Sequence, residues 1–367
     1  MVINVARRGV EALALDTTGI YDSLDPSGLR DRLRTFPDQC EEAWYQTRGL
    51  QLPDSWKNID KVVIGGMGGS AIAGDLVKDL ASLQTTLPVT VIRDFQLPFP
   101  LDDRTLFIAC SFSGNTPETL SLLHQARQTG ARVMTIAGGG ALAEGIDSRG
   151  IPCLLVKTGG EPRSALGYNL TLLLGTLQNL RLVRTKYQDV AGAIASLRQT
   201  ATRLAEEVPT ERNQAKQLAC DLRQQTLVVY GGGIFSATAR RWKTQLNENG
   251  KAWAFYEELP ELLHNSVESF QRSSATGAGA MVVVLEPDHL TPELESRYRT
   301  IGDLLQWGDV PHRLVKSDAG SPLSQILNMV LLGDYVSYYL GLLYGMNPSD
   351  TPAIDRGKRL VSEYTGE

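Results

Sequence analysis

Two short segments gather the groups that bind an anion, and four scattered residues carry the groups that move protons or steady a negative charge. The first segment is Gly65-Gly66-Met67-Gly68-Gly69-Ser70-Ala71. It follows a β-branched run and opens a helical pattern, so bare backbone amides collect at the positive end of a helix, where anions are favoured. The second is Ser111-Phe112-Ser113-Gly114-Asn115-Thr116-Pro117-Glu118-Thr119. Proline just inside a helix start, behind a threonine and ahead of a glutamate, is ordinary capping chemistry. Capping needs one hydroxyl, whereas Ser111, Ser113 and Thr116 together offer the several short donors that a compact phosphate monoester requires. No lysine or arginine lies in this loop, so binding there rests on amides and hydroxyls.

The proton-moving candidates lie apart from these loops. Glu248 sits in Asn247-Glu248-Asn249-Gly250-Lys251, between a helical stretch and a turn, where flanking amides can hold a carboxylate as a base. Its plainer reading is a solvated carboxylate at a helix end. His264, in Leu259-Pro260-Glu261-Leu262-Leu263-His264-Asn265-Ser266, is one of four histidines; an imidazole can both give and take a proton, unless the residue is merely structural. Arg163, in Glu161-Pro162-Arg163-Ser164, is either a fixed cation facing the reacting atoms or a surface partner of Glu161. Lys358 lies in a basic terminal stretch that begins Thr351-Pro352, a segment that can equally be a solvated helix.

These residues must be positioned by an α/β frame. Short β-branched runs at 62–64, 88–92, 106–110, 132–136 and 153–156 are each followed by a Gly or Ser cluster and a helical stretch, the pattern of a doubly wound parallel sheet. A helical region from 168 to about 223 leads to a second alternation, with runs at 227–230, 281–285 and 312–315 and a long buried helix over 326–344. Val62-Val63-Ile64-Gly65-Gly66 with Ser70 matches Val228-Val229-Tyr230-Gly231-Gly232 with Ser236 at a constant offset of about 166 residues, which points to a duplicated fold. Four units follow: an N-terminal extension at 1–50, a first domain at 51–190, a second at 191–345 with its connecting helix, and a C-terminal helical tail at 346–367 that closes the site.

Bulk properties exclude several classes. A chain of 367 residues with 42% hydrophobic and 21% charged residues is long enough for two buried cores and too apolar to be disordered. Its net charge of -5, with no basic run, argues against nucleic acid. Cys40, Cys110, Cys153 and Cys220 match neither a zinc nor a disulfide spacing and read as reduced core residues. No apolar run is read as long enough to span a bilayer and no signal peptide is evident, so cytoplasm is the default. Gly66, Gly68 and Ala71, with Asp94 on the next strand, also satisfy a dinucleotide fingerprint, against which the hydroxyl loop weighs.

The Ser-Phe-Ser-Gly-Asn-Thr-x-Glu-Thr string on such a sheet resembles the signature of SIS (sugar isomerase) domains, in which these hydroxyls hold phosphate. The implied fold is two tandem flavodoxin-like SIS domains. Such domains also serve amidotransferases and regulators that only sense sugar phosphates, so a non-catalytic sensor stays open as an alternative. The order of Pro-Arg-Ser-Ala-Leu-Gly-Tyr at 162–168, Asn-Glu-Asn at 247–249, Glu-Leu-x-His-Asn at 261–265 and Thr-Pro-x-x-Asp-x-x-Lys at 351–358 is similar to the bifunctional phosphoglucose/phosphomannose isomerases, over 61–358. That resemblance implies interconversion of glucose 6-phosphate and mannose 6-phosphate with fructose 6-phosphate through a cis-enediolate. It makes Glu248 the base for the C1–C2 proton, His264 and Lys358 the helpers in ring opening, and Arg163 the cation on the enediolate. Gly69, Ser70, Ser111, Ser113 and Thr116 then hold phosphate, and Thr351 lies near the sugar end. It implies no metal or nucleotide cofactor, a phosphorylated hexose as partner, and a homodimer whose histidine reaches the other subunit's site. Two departures stand out: Ser266 where the family usually has glutamate after His-Asn, with Glu268 the next acid, and the long N-terminal segment.

Overall fold

The β-branched runs become strands of two parallel sheets because helices cover both faces of each, so the central strands are buried along most of their length rather than alternately exposed. The computed structural model describes residues 14–144, 150–272, 280–288 and 290–366. The first sheet holds β1 (Lys61–Gly66), β2 (Val89–Ile92), β3 (Thr105–Ser111), β4 (Arg132–Ala137) and β5 (Cys153–Leu155), in the order β2-β1-β3-β4-β5. Every residue of β3 is buried. The second sheet holds β6 (Thr226–Gly232), β7 (Ala254–Leu259), β8 (Ala280–Glu286) and β9 (His312–Lys316), in the order β7-β6-β8-β9. The second order repeats the first without its fifth strand, as the matched β1 and β6 segments lead one to expect. The α/β doubly wound class is therefore the observed one.

The helices are α1 (Gly19–Leu24), α2 (Leu29–Arg34), α3 (Phe36–Arg48), α4 (Gly68–Ser82), α5 (Pro117–Arg127), α6 (Gly140–Glu144), α7 (Leu166–Asn179), α8 (Tyr187–Leu204), α9 (Gln214–Leu222), α10 (Ser236–Glu248), α11 (Pro292–Trp307), α12 (Pro322–Leu343) and α13 (Pro352–Thr365). One hydrophobic cluster runs from α3 through β1, β3 and α7 to α8, α10 and α12, so the two sheets share a core.

Four expectations change. β7 has no β-branched run: Ala-Phe-Tyr-Glu-Glu-Leu reads as polar because it lies at the sheet edge, paired only to β6. Residues 14–50 are no appendage. Phe36, Cys40, Ala43, Trp44 and Thr47 form one buried face of α3, and Gly167 and Gly175 of α7 let it approach so closely that a Cβ at Gly175 would stand 2.3 Å from the Thr47 hydroxyl. α8 runs unbroken through the boundary expected at 190/191. Finally, α12 is long and apolar enough to cross a membrane by length and composition, contrary to the reading of the sequence, but 94% of that stretch is buried inside the protein. α13, by contrast, has no buried residue among those described.

The sheets are joined along α4 and α10. The Ala237 amide, in the first turn of α10, donates to the Asp79 carboxylate of α4 at 2.7 Å, and Arg240 of α10 approaches Asp75 of α4 at 3.4 Å. Burial pushes the Asp79 carboxyl up to about 7, with the Ala237 amide opposing the rise. An acid with a raised folded-state pKa binds its proton more tightly when folded, so the stability that Asp79 contributes is full below pH 4 and declines as pH rises towards 7. Asp79→Asn, which keeps an acceptor for Ala237, is expected to flatten that decline. Urea midpoints at several pH values between 4 and 7.5 check this; an unchanged slope in the variant contradicts it.

Candidate active site

In an open parallel sheet, ligands meet the carboxyl ends of the strands where the strand order reverses. In the first sheet that point lies between β1 and β3, whose ends are in register at Gly66 and Cys110. Both predicted anion loops leave the sheet there. β1 turns at Met67 into α4, with Gly68 at φ +47, and Ser70 is buried in the first turn. β3 ends on Ser111, and the loop beyond it closes on itself: the Ser111 hydroxyl lies 2.7 Å from that of Thr116 and 3.4 Å from that of Ser113, and it accepts the Gly114 amide at 3.1 Å. Thr116 makes no side-chain cap to α5. Its hydroxyl belongs to the serine cluster, so the capping interpretation does not describe this threonine.

The hydroxyl loop is braced from behind by Gly138-Gly139-Gly140 after β4. Gly114 has φ +69, and a Cβ there would stand 1.7 Å from the Gly139 carbonyl oxygen. Gly114→Ala is therefore expected to cost about 1–3 kcal/mol of stability and to weaken binding of a phosphate monoester at this loop at least about tenfold. Thermal unfolding together with calorimetric titration of a phosphate monoester checks both. At the matching turn of the second sheet, Cβ atoms at Gly232 and Gly233 would stand 2.8 Å from Leu259 and 2.7 Å from Leu294, and the segment at the end of β8, Glu286-Pro287-Asp288, carries no hydroxyl cluster like that after β3.

Arg163 is the hub of the site. It follows β5 on a single 3-10 turn, Pro162–Ala165, and is buried rather than paired with Glu161 on the surface. Its Nε donates to Asn249 Oδ1 at 2.6 Å, its Nη2 donates to the carbonyls of Pro348 and Ser349 at 2.9 and 2.7 Å, and its Nη1 lies 3.5 Å from Glu248 Oε2. Its own carbonyl accepts Arg241 Nη2 at 2.8 Å, and Arg241 is fixed by a two-point buried pair with Asp334 of α12. Burial lowers the Arg163 pKa, and the Glu248 carboxylate opposes that fall. Gly69 closes the distance to the first anion loop: a Cβ there would stand 3.0 Å from the Pro162 carbonyl and 3.2 Å from Arg163 Cα.

Glu161 turns the other way. It binds Arg32 of α2 at two points, 2.9 and 2.7 Å, and Ser27 donates to the Ser349 hydroxyl at 2.6 Å. Burial works against the Glu161 charge, but the bonds from Ser349 and Arg32 outweigh it and hold the carboxyl below the usual range. The N-terminal segment thus fixes both the arginine turn and the 348–350 stretch, which nothing in its composition announced.

Glu248 ends α10 with its side chain 28% exposed, open enough to meet a ligand and close enough to feel Arg163. Asn247 binds the carbonyl of Ala252 and Asn249 bridges Arg163 to Ser337, so the two amides flanking the carboxylate hold the backbone on either side of it. Lys251, passed over in the sequence, donates to the carbonyls of Glu248, Asp350 and Pro348. Its place directly after Asn249-Gly250, at the end of a helix, was the signal available for it. Three of the predicted residues are not buried in this cluster. His264, at the end of the turn after β7, and Lys358, on α13, are exposed, and Thr351 is half-buried at the start of α13. An open cavity of about 810 Å³ elsewhere includes Arg34, Arg198 and Arg203 in its wall, but these arginines already pair with Glu206, Asp38 and Asp318, and none of the predicted site residues lines it.

The chain is 33% identical over 329 residues to a bifunctional phosphoglucose/phosphomannose isomerase of Caldicellulosiruptor bescii, covering 89% of this chain and 97% of that one. The chain belongs to the bifunctional phosphoglucose/phosphomannose isomerase family. A relative of the same name from Thermoplasma acidophilum is 31% identical over 340 residues, covering 91% of this chain and all of that one. Residues 211–361 match the family described as the bacterial phospho-glucose isomerase C-terminal SIS domain, a span that holds Glu248, His264 and Lys358. A solved hypothetical protein from Thermus thermophilus shares the fold at 18% identity, with a TM-score of 0.73, over 99% of this chain and 96% of that one. Family membership implies a sugar-phosphate substrate.

Proposed function

We propose that the protein interconverts glucose 6-phosphate, and also mannose 6-phosphate, with fructose 6-phosphate. The observation that carries this reading is a half-open carboxylate, Glu248, 3.5 Å from a buried guanidinium, Arg163, whose turn lies against the phosphate-loop residue Gly69. Ser70 and the Ser111–Thr116 hydroxyls grip the phosphate through amides and hydroxyls at helix starts. Glu248 takes the proton from C2 of the aldose or C1 of the ketose and returns it to the neighbouring carbon. The charge that builds on the enediolate oxygens falls to Arg163, held in place before substrate arrives and so costing little reorganisation.

His264 and Lys358 open the sugar ring, and Thr351 contacts the sugar. Both ring-opening groups are exposed in the single chain, an arrangement that suits a homodimer in which His264 serves the neighbouring subunit's site. Residues 352–365 then close over the sugar. Ser266 leaves the family's usual carboxylate missing beside the histidine, so ring opening is the slow step in this reading. The protein works in the cytoplasm, where its phosphorylated substrates are. Incubation of the purified protein with fructose 6-phosphate, following glucose 6-phosphate and mannose 6-phosphate by separate coupled assays, is expected to yield both. Tight binding of fructose 6-phosphate with no formation of either would favour a sensor instead.

A further inference from the structure

The turn between α10 and β7 contains a lysine in a costly conformation. Lys251 has φ +53, in the left-handed region that costs a residue with a side chain about 1–2 kcal/mol and that usually falls to glycine or asparagine beyond a helix end. The bend returns its side chain across the end of α10. There Nζ donates to the carbonyls of Glu248 at 2.5 Å, Asp350 at 2.6 Å and Pro348 at 3.2 Å. An ammonium has three protons and no lone pair, so three carbonyls use it fully only while it is charged. Arg163 adds its bonds to Pro348 and Ser349, so three successive carbonyls face two cations. Asp350 directly precedes Thr351 and the exposed α13, which carries Lys358.

We propose that Lys251 is a positioning residue: it pins the 348–350 strap to the end of the helix that carries Glu248, and so sets where Thr351 and Lys358 stand against the base. This rests on the isomerase reading. The groups facing Lys251 are Arg163, Glu248, Asp350 and Glu161. Burial first, and Arg163 second, bring its pKa down to about 8, against the pull of the three carboxylates. The anchor therefore begins to lose its charge in mildly alkaline solution, and with it the third hydrogen bond to the strap.

The test compares Lys251→Met and Lys251→Arg in the full chain. For fructose 6-phosphate at pH 7, Lys251→Met is expected to lower kcat about tenfold or more, as misplacement of catalytic groups does, with KM changed less than about threefold. Lys251→Arg keeps the charge; it is expected to restore kcat to within about threefold and to move the alkaline limb of the kcat profile up by about one pH unit or more. Tryptic cleavage after Arg356 is expected to quicken in Lys251→Met and not in Lys251→Arg. A Lys251→Met protein with unchanged kcat, or a Lys251→Arg protein as impaired as Lys251→Met, overturns the proposal while leaving the isomerase reading intact. If the wild type turns over no hexose phosphate, the isomerase reading fails on its own, and equal cleavage of all three proteins then overturns the strap role as well.

Discussion

Glu248→Gln is expected to lower kcat for fructose 6-phosphate by roughly 10²–10⁴-fold, the range a positioned general base contributes, while the calorimetric Kd for the same sugar phosphate stays within about threefold. The separation follows from the geometry. Phosphate binding is assigned to the loops after β1 and β3, and Glu248 is at the end of α10 in the other half of the molecule. Glutamine keeps the shape of the carboxylate and removes the basic lone pair. Arg163 does not depend on Glu248 for its place, because Asn249, Pro348 and Ser349 hold it at 2.6, 2.9 and 2.7 Å. Stability should move by less than about 1 kcal/mol, since the carboxylate is partly solvated and its pairing at 3.5 Å is loose. A variant that keeps wild-type turnover removes Glu248 from the chemistry; one that loses binding and turnover together makes it a ligand group instead.

The second large effect belongs to Arg163. Arg163→Met leaves the Asn249 side-chain oxygen and the Ser349 carbonyl without the arginine donor and the Pro348 carbonyl with Lys251 alone, and each unsatisfied buried acceptor costs about 1–3 kcal/mol. Removing a buried cation from a partnered network typically costs about 3–5 kcal/mol. The variant is therefore expected to lose about that much stability and, where it still folds, at least about 10²-fold in kcat. Arg163→Lys keeps the charge, but a single ammonium cannot span the same fork of acceptors, so it should recover part of the stability and little of the rate. Urea unfolding with steady-state kinetics on both variants checks this. A Met variant as stable as the wild type would mean that the arginine does not tie the 348–350 strap to the first domain.

Much of the frame was legible because it is written in local pattern. Runs such as Leu106-Phe107-Ile108-Ala109-Cys110 are apolar throughout because both faces of β3 are covered, and the duplication from Val62 to Val228 reappears as the same strand order in both sheets. β7 was not legible, since an edge strand tolerates Glu257 and Glu258. The buried face of α3 was present at helical spacing, but with no strand run beside it the stretch reads as an extension. In the site, Ser111, Ser113 and Thr116 are neighbours in the chain, so sequence could group them. Arg163, Glu248, Asn249 and Lys251 come together only because α10 and the arginine turn meet against α12, through Arg241 and Asp334, contacts between residues 78 to 93 positions apart. Family resemblance, not spacing, singled out Glu248 and Arg163, and it gave no hint of Lys251. It also singled out His264 and Lys358, which a single chain leaves exposed.

The central claim is a proton moved by Glu248 between C1 and C2, and it is tested most directly by isomerisation in D₂O. Fructose 6-phosphate is left with the wild-type protein until the equilibrium has been crossed many times, and the sugars are then read by proton NMR. The account predicts deuterium at C2 of the aldose and at C1 of the ketose, because a proton held on a carboxylate that is 28% exposed exchanges with solvent in some fraction of turnovers. Aldose formed with C2 still wholly protiated after that many passages would mean that hydrogen moves directly between the carbons, and would contradict a base at Glu248.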